Sequence, residues 1–92
     1  MINIVIADAQ YLVRIGLKSL LSTIKEFNVI GEAGNTKELL DLISSHHTDV
    51  VIFDYFSEHN FLPEDIQSVK RISPKTNFLI ISADSTKTTI YK

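Results

Sequence analysis

Two aspartates and a serine occupy equivalent places in this chain, each directly after a short apolar run. Asp8 follows Ile2–Ala7, Asp54 follows Val50–Phe53, and Ser82 follows residues 78–81. Two carboxylates and a hydroxyl on one rim would suit a hard cation and a phosphoryl group. Mg²⁺ uses one or two protein carboxylates and completes its octahedron with water and phosphate oxygens. Without a cation, like carboxylates placed close together raise the pKa of one of them. With it, Asp54 would serve as a nucleophile toward phosphorus and form an acyl phosphate. Ser82 would donate a hydrogen bond to a phosphoryl oxygen and change rotamer in response, which describes a switch rather than an enzyme. A simpler reading stays open for each residue: Asp54 as a turn residue, Asp8 as the N-cap of the next helix, Ser82 as a plain strand-end serine.

Convergence of the three depends on the elements that carry them. The three runs are continuously apolar and rich in β-branched residues or Phe, the pattern of strands buried on both faces of a parallel sheet. Phe27–Ala33, ended by Gly34, is a fourth and weaker strand. Helical periodicity fills the intervals. Over residues 10–24, Leu12, Val13, Ile15, Leu17, Leu20, Leu21 and Ile24 form a wide apolar stripe. Gly16 lies inside it, and close packing of helix on sheet is the expected reason. Asn35 and Glu38 have the spacing of a capping box before Leu39, Leu40, Leu42 and Ile43. Pro63, Glu64 and Asp65 open a third helix, which ends near Ile72 before Ser73-Pro74. Asp84 or Ser85 would cap a fourth helix over residues 86–92. The order β-α-β-α-β-α-β-(α) predicts a doubly wound, flavodoxin-like sheet with strand order 2-1-3-4. The carboxyl ends of its first and third strands then meet at the topological switch point, with Asp8, Asp54 and Ser82 on one rim.

Composition narrows the function classes. Ninety-two residues make one domain. Cysteine is absent, which removes disulfide frameworks, thiolate zinc sites and redox CxxC chemistry. A net charge of −2 argues against direct nucleic-acid binding. The longest apolar runs are four residues, far below the ~20 of a membrane helix, and no secretory signal opens the chain. A cytoplasmic protein without membrane contact is expected. His46-His47 suits the negative end of the second helix better than a metal, since no third ligand accompanies the pair.

Taken in order, Ile4-Val-Ile-Ala-Asp8, Leu12-Val-Arg-Ile-Gly-Leu17, Val29-Ile-Gly-Glu-Ala33, Asp49-Val-Val-Ile-Phe-Asp54 and Ile80-Ile-Ser-Ala83 resemble the receiver domain of two-component response regulators. The wording of the first helix and second strand is most similar to the subgroup with a C-terminal LuxR/NarL-type helix-turn-helix. The resemblance implies a CheY-like fold and a phosphorelay in which a histidine kinase phosphorylates Asp54. It implies Ser82 as the switch hydroxyl, and Mg²⁺ held by Asp8, Asp54 and the backbone carbonyl of Phe56. It further implies dimerisation and transcriptional output through a DNA-binding domain outside this chain.

The departures from the family pattern are specific. The acidic pair reads Asp8-Ala9, so the second carboxylate is missing and Mg²⁺ binding is expected to be weakened. The loop Ser57-Glu-His-Asn-Phe-Leu-Pro63 has no glycine, and the chain ends before the lysine expected on a fifth strand. Residues 1–92 therefore read as a receiver incomplete at its C-terminus, with residues 78–81 as an exposed sheet edge prone to self-association. A degenerate receiver that works as a phosphorylation-independent interaction module is the alternative. Haloacid-dehalogenase-type phosphatases fit less well because Asp54-Tyr-Phe-Ser57 lacks their second aspartate, and flavodoxins because Ala9-Gln-Tyr-Leu12 offers no phosphate loop.

Overall fold

The computed structural model describes residues 1–54 and 61–81, together with the backbone of 88–91. In chain order the elements are β1 (Ile2–Ala7), α1 (Tyr11–Leu21), β2 (Phe27–Ala33), α2 (Thr36–Ser45), β3 (Val50–Phe53), α3 (Glu64–Ile72), β4 (Asn77–Ile81) and β5 (Thr88–Tyr91). They build one sheet in the order β2-β1-β3-β4-β5. The first four strands are parallel, in the order expected from the apolar runs. No helix of the described residues is long and apolar enough to cross a membrane.

Because successive strand residues face opposite sides of a sheet, each central strand feeds two cores. Val5, Ala7, Val51, Phe53, Phe78 and Ile80 face α2 and α3, where Leu39, Ile43 and Val69 are buried against them. Ile4, Ile6 and Ile52 face α1, with Leu17 and Leu21 packed over them. Gly31 on β2 leaves room for Leu42 of α2, whose Cδ2 lies 2.7 Å from where a Cβ would stand.

The caps follow the local sequence. Asn35 accepts a hydrogen bond from the Glu38 amide at 2.9 Å, and Glu38 Oε1 accepts one from the Gly34 amide at 2.7 Å. Asp65, expected to favour the positive end of its helix dipole, is buried and does more. It accepts from the Leu62 amide at 2.9 Å and from the Thr36 hydroxyl at 2.6 Å, joining the starts of α2 and α3.

Three expectations need correction. The tail is not a helix: Thr88–Tyr91 is a strand that pairs antiparallel with β4, so residues 78–81 are not a sheet edge. Thr88, Thr89, Ile90 and Tyr91 are β-branched or aromatic and favour a strand. Six residues separate β4 from β5, too few for the crossover of a dozen or more that a parallel strand requires. The stripe on α1 is also not all core. Leu12 is 80% and Leu20 64% exposed, and no α1 residue is fully buried. Among the described residues α1 is the single helix on its side of the sheet, whereas α2 and α3 share the other. Gly16, finally, does not mark close packing, because a Cβ there would meet nothing within 4 Å.

Candidate functional site: paired carboxylates at the strand ends

The crossover topology places β1 beside β3, with Ala7 opposite Phe53 at the last rung. Asp8 and Asp54 are the next residue of each strand and stand side by side. The Asp54 amide donates to the Ala7 carbonyl at 3.0 Å, and the Asp8 amide to the Ala33 carbonyl at 3.0 Å. Both carboxylates are nearly buried, Asp8 at 2% and Asp54 at 7% exposure. A cavity of about 140 Å³ adjoins them, floored by Val13, Leu17, Ile52 and Ile81.

Burial pushes the Asp8 carboxyl above its ordinary value, and the neighbouring Asp54 charge and a side-chain hydrogen bond to Asp54 add to the effect. The Gln10 amide, donating to Asp8 Oδ1 at 2.7 Å, and the Arg14 charge act in the opposite direction. Asp8 is therefore harder to ionise in the folded state than in the unfolded chain, as expected of one member of a buried carboxylate pair. The linkage has a definite sign. A carboxyl with a raised folded-state pKa stabilises the fold most below its unfolded value of 3.8, and that contribution is lost as pH rises through the folded value. Asp8→Asn should accordingly be stabilising at neutral pH, by about 0.5–2 kcal/mol, because Asn keeps the acceptor for Gln10 and discards the charge. The gain should shrink toward zero below pH 3.8. Paired urea melts of both proteins across that range measure it, and a gain independent of pH would contradict the assignment.

Asp8 and Asp54 are thus brought together as expected. Ser82 and Phe56 lie outside the described residues, as do Tyr55, Glu58 and His59; β4 ends at Ile81, one residue before Ser82. His46 and His47 stay away from the rim. His46 is the C-cap residue of α2, and His47 contacts Asp49 at 3.0 Å. Among the described residues no group of three or more His, Cys, Asp or Glu forms a metal cluster. Two carboxylates beside an open cavity fit Mg²⁺ nevertheless, since this ion takes few protein ligands and keeps most of its waters.

Sequence reasoning gave no role to Arg14 or Glu32. Arg14 Nε donates to Glu32 Oε1 at 3.1 Å, and Nη1 donates to the Asp8 carbonyl oxygen. The signal available was a basic residue among the apolar residues of α1 and an acidic one directly before the buried Ala33 on β2, both unusual without a partner.

No family model matches the chain. Individual proteins do. It is 33% identical over 88 residues to the transcriptional regulatory protein YhcZ of Bacillus subtilis, covering 90% of this chain and 39% of that one. It is 30% identical over 91 residues to the probable transcriptional regulatory protein NarL of Mycobacterium tuberculosis, covering 99% and 42%. With CitT of B. subtilis it shares 29% over 83 residues, or 90% and 37%. The fold matches RcsB of Salmonella enterica serovar Typhimurium, solved on promoter rprA with phosphomimetic BeF₃⁻, at a TM-score of 0.80 and 23% identity over 92% of this chain and 72% of that one. The chain is a response-regulator receiver domain. This receiver stands close to the LuxR/NarL type and spans about two fifths of the length of the curated relatives it matches. The MaeR response regulator bound to beryllium trifluoride has the same fold, with a TM-score of 0.79 at 19% identity over 90% of this chain and 68% of that one.

Proposed function

We propose that this receiver accepts a phosphoryl group on Asp54 from the phosphohistidine of a sensor kinase. The observation that carries the reading is the buried pair Asp8 and Asp54, side by side at the carboxyl ends of adjacent parallel strands and open to a cavity. In the transfer an Asp54 carboxylate oxygen bonds to phosphorus, the P–N bond breaks, and the imidazole leaves with that electron pair. Asp8, Asp54 and the Phe56 carbonyl would hold Mg²⁺, which when bound offsets the negative charge gathering on the phosphoryl oxygens. Ser82 would report the acyl phosphate through its hydroxyl. The step resets a switch and turns over no substrate of its own.

The relatives suggest the wider setting. Their names are those of transcriptional regulators, and RcsB has been solved as dimers on DNA. We place this receiver in the cytoplasm, as a homodimer that controls a helix-turn-helix output domain lying outside residues 1–92. The interaction-only alternative draws on Ala9 and on the glycine-free loop after Asp54, whereas Asp8 and Asp54 follow directly on paired strand ends.

The test is direct. Acetyl phosphate with Mg²⁺ should give one hydroxylamine-labile phosphoryl adduct by intact mass, and chelation with EDTA should prevent it. An unmodified mass at saturating Mg²⁺ would overturn the reading in favour of the interaction module.

Ala9 sets a second expectation. With only Asp8 and Asp54 as carboxylates, Mg²⁺ should bind weakly, and Ala9→Asp should tighten it about tenfold, because affinity for hard cations follows ligand charge count. Titration calorimetry of both proteins decides this; equal affinities would show that residue 9 lies outside the cation's reach.

A further inference from the structure

Three interactions converge on Arg14, although it lies among the apolar residues of α1. Its side chain is only 15% exposed, and Nε contacts Glu32 Oε1 at 3.1 Å. Nη1 donates to the main-chain carbonyl of Asp8. The guanidinium carbon lies 5.4 Å from the centre of the Tyr11 ring. A Cβ on Gly34 would stand 3.1 Å from Nη1, so the fork fits against the end of β2 with little space to spare. Glu32 is held from the other side by Lys18 at 3.7 Å. A planar guanidinium makes two directed bonds and a ring contact from one rigid fork, whereas an ammonium is a compact point charge with no fixed plane.

We infer that Arg14 is a positioning residue for the acidic rim: anchored by Glu32 on β2, it grips the Asp8 carbonyl and fixes the β1–α1 turn that aims the Asp8 carboxylate. Beyond its contact with Asp54, Asp8 is then held at three points. Its amide donates to Ala33, its carbonyl accepts from Arg14, and Oδ1 accepts from Gln10. Of these, the Arg14 contact is the one made by a side chain reaching back from the helix, and it spans the turn that carries Ala9. The direction of the carboxylate is what a cation between Asp8 and Asp54 would depend on, since ligands held a fraction of an ångström off lose affinity. The functional consequence rests on the phosphoacceptor reading; the mechanical one does not.

The experiment compares wild type with Arg14→Met, Arg14→Lys and Glu32→Gln, each first shown to be folded by a urea melt. Amide hydrogen exchange should quicken about tenfold or more at Asp8 and Gln10 in Arg14→Met, with Val5 and Ile6 unchanged, as for a local opening. The Mg²⁺ concentration for half-maximal labelling by acetyl phosphate should rise about tenfold while the plateau rate changes less than twofold. Arg14→Lys and Glu32→Gln should fall between, and they carry the test if Arg14→Met does not fold. Unchanged exchange at Asp8 and Gln10, or unchanged Mg²⁺ half-saturation in a folded variant, would overturn the inference. If wild type takes no label at all, the phosphoacceptor reading falls, and the exchange rates still decide the role of Arg14.

Discussion

Treatment of Asp54→Asn with acetyl phosphate and Mg²⁺ should leave its mass unchanged under conditions that label the wild type, and Asp8→Asn should still take label on Asp54, more slowly. The asymmetry comes from the environments of the two carboxyls. Asp8 Oδ1 is engaged by the Gln10 amide across the β1–α1 turn, which holds that carboxyl in place and occupies one of its oxygens. Asp54 ends the central strand β3, flanked by β1 and β4, and borders the cavity through which a phosphodonor would approach. Asn is nearly isosteric with Asp, so the fold should survive and the loss is chemical. Intact-mass spectrometry with peptide mapping, beside circular dichroism of each variant, makes the measurement. Label persisting on Asp54→Asn would assign the nucleophile to another residue.

Phe53→Ala should cost about 3–5 kcal/mol, a large part of the 5–15 kcal/mol typical of a whole domain. Phe53 is wholly buried on the face shared by α2 and α3. Its ring meets Phe61 edge-on at 5.4 Å and Phe78 edge-on at 5.7 Å, and such pairs each add about 0.5–1.5 kcal/mol beyond burial. Truncation removes both contacts and leaves a cavity in the centre of the sheet. It also loosens the strand directly before Asp54, so labelling should fall with stability. Phe53→Leu, which retains most of the volume, should cost only about 1–2 kcal/mol. Urea denaturation of the two variants against wild type checks the order. A Phe53→Ala protein within about 1 kcal/mol of wild type would mean that the aromatic cluster is not the centre of the core.

The first four strands, the three helices and the juxtaposition of Asp8 and Asp54 were legible in the sequence because their determinants are local. A run such as Val50–Phe53 is apolar throughout because both its faces are covered, and it stops at a carboxylate that belongs at a sheet end. Asn35, Glu38, Pro63 and Asp65 sit within one turn of the helix starts they specify. Alternation of strands and helices then restricts topology to a few arrangements, and one of these sets Asp8 beside Asp54.

The remaining features depended on which surfaces meet. Thr88–Tyr91 favour a strand by residue type, and the edge of β4 decided that they would become its antiparallel partner. The apolar periodicity of α1 foretold a helix but not how much of it would be covered. That amount is set by how many helices share its side of the sheet, and Leu12 and Leu20 remain in solvent. Arg14 and Glu32 are 18 residues apart. Neither signals the other until β1 and β2 pair and bring the end of β2 under the first turns of α1. By itself, then, the sequence determined the periodic elements, their caps and the acidic strand ends, each encoded within a few residues. The tertiary structure alone decided the tail strand, the exposure of α1 and the Arg14 clamp, because each arises between segments that meet only once the sheet has formed.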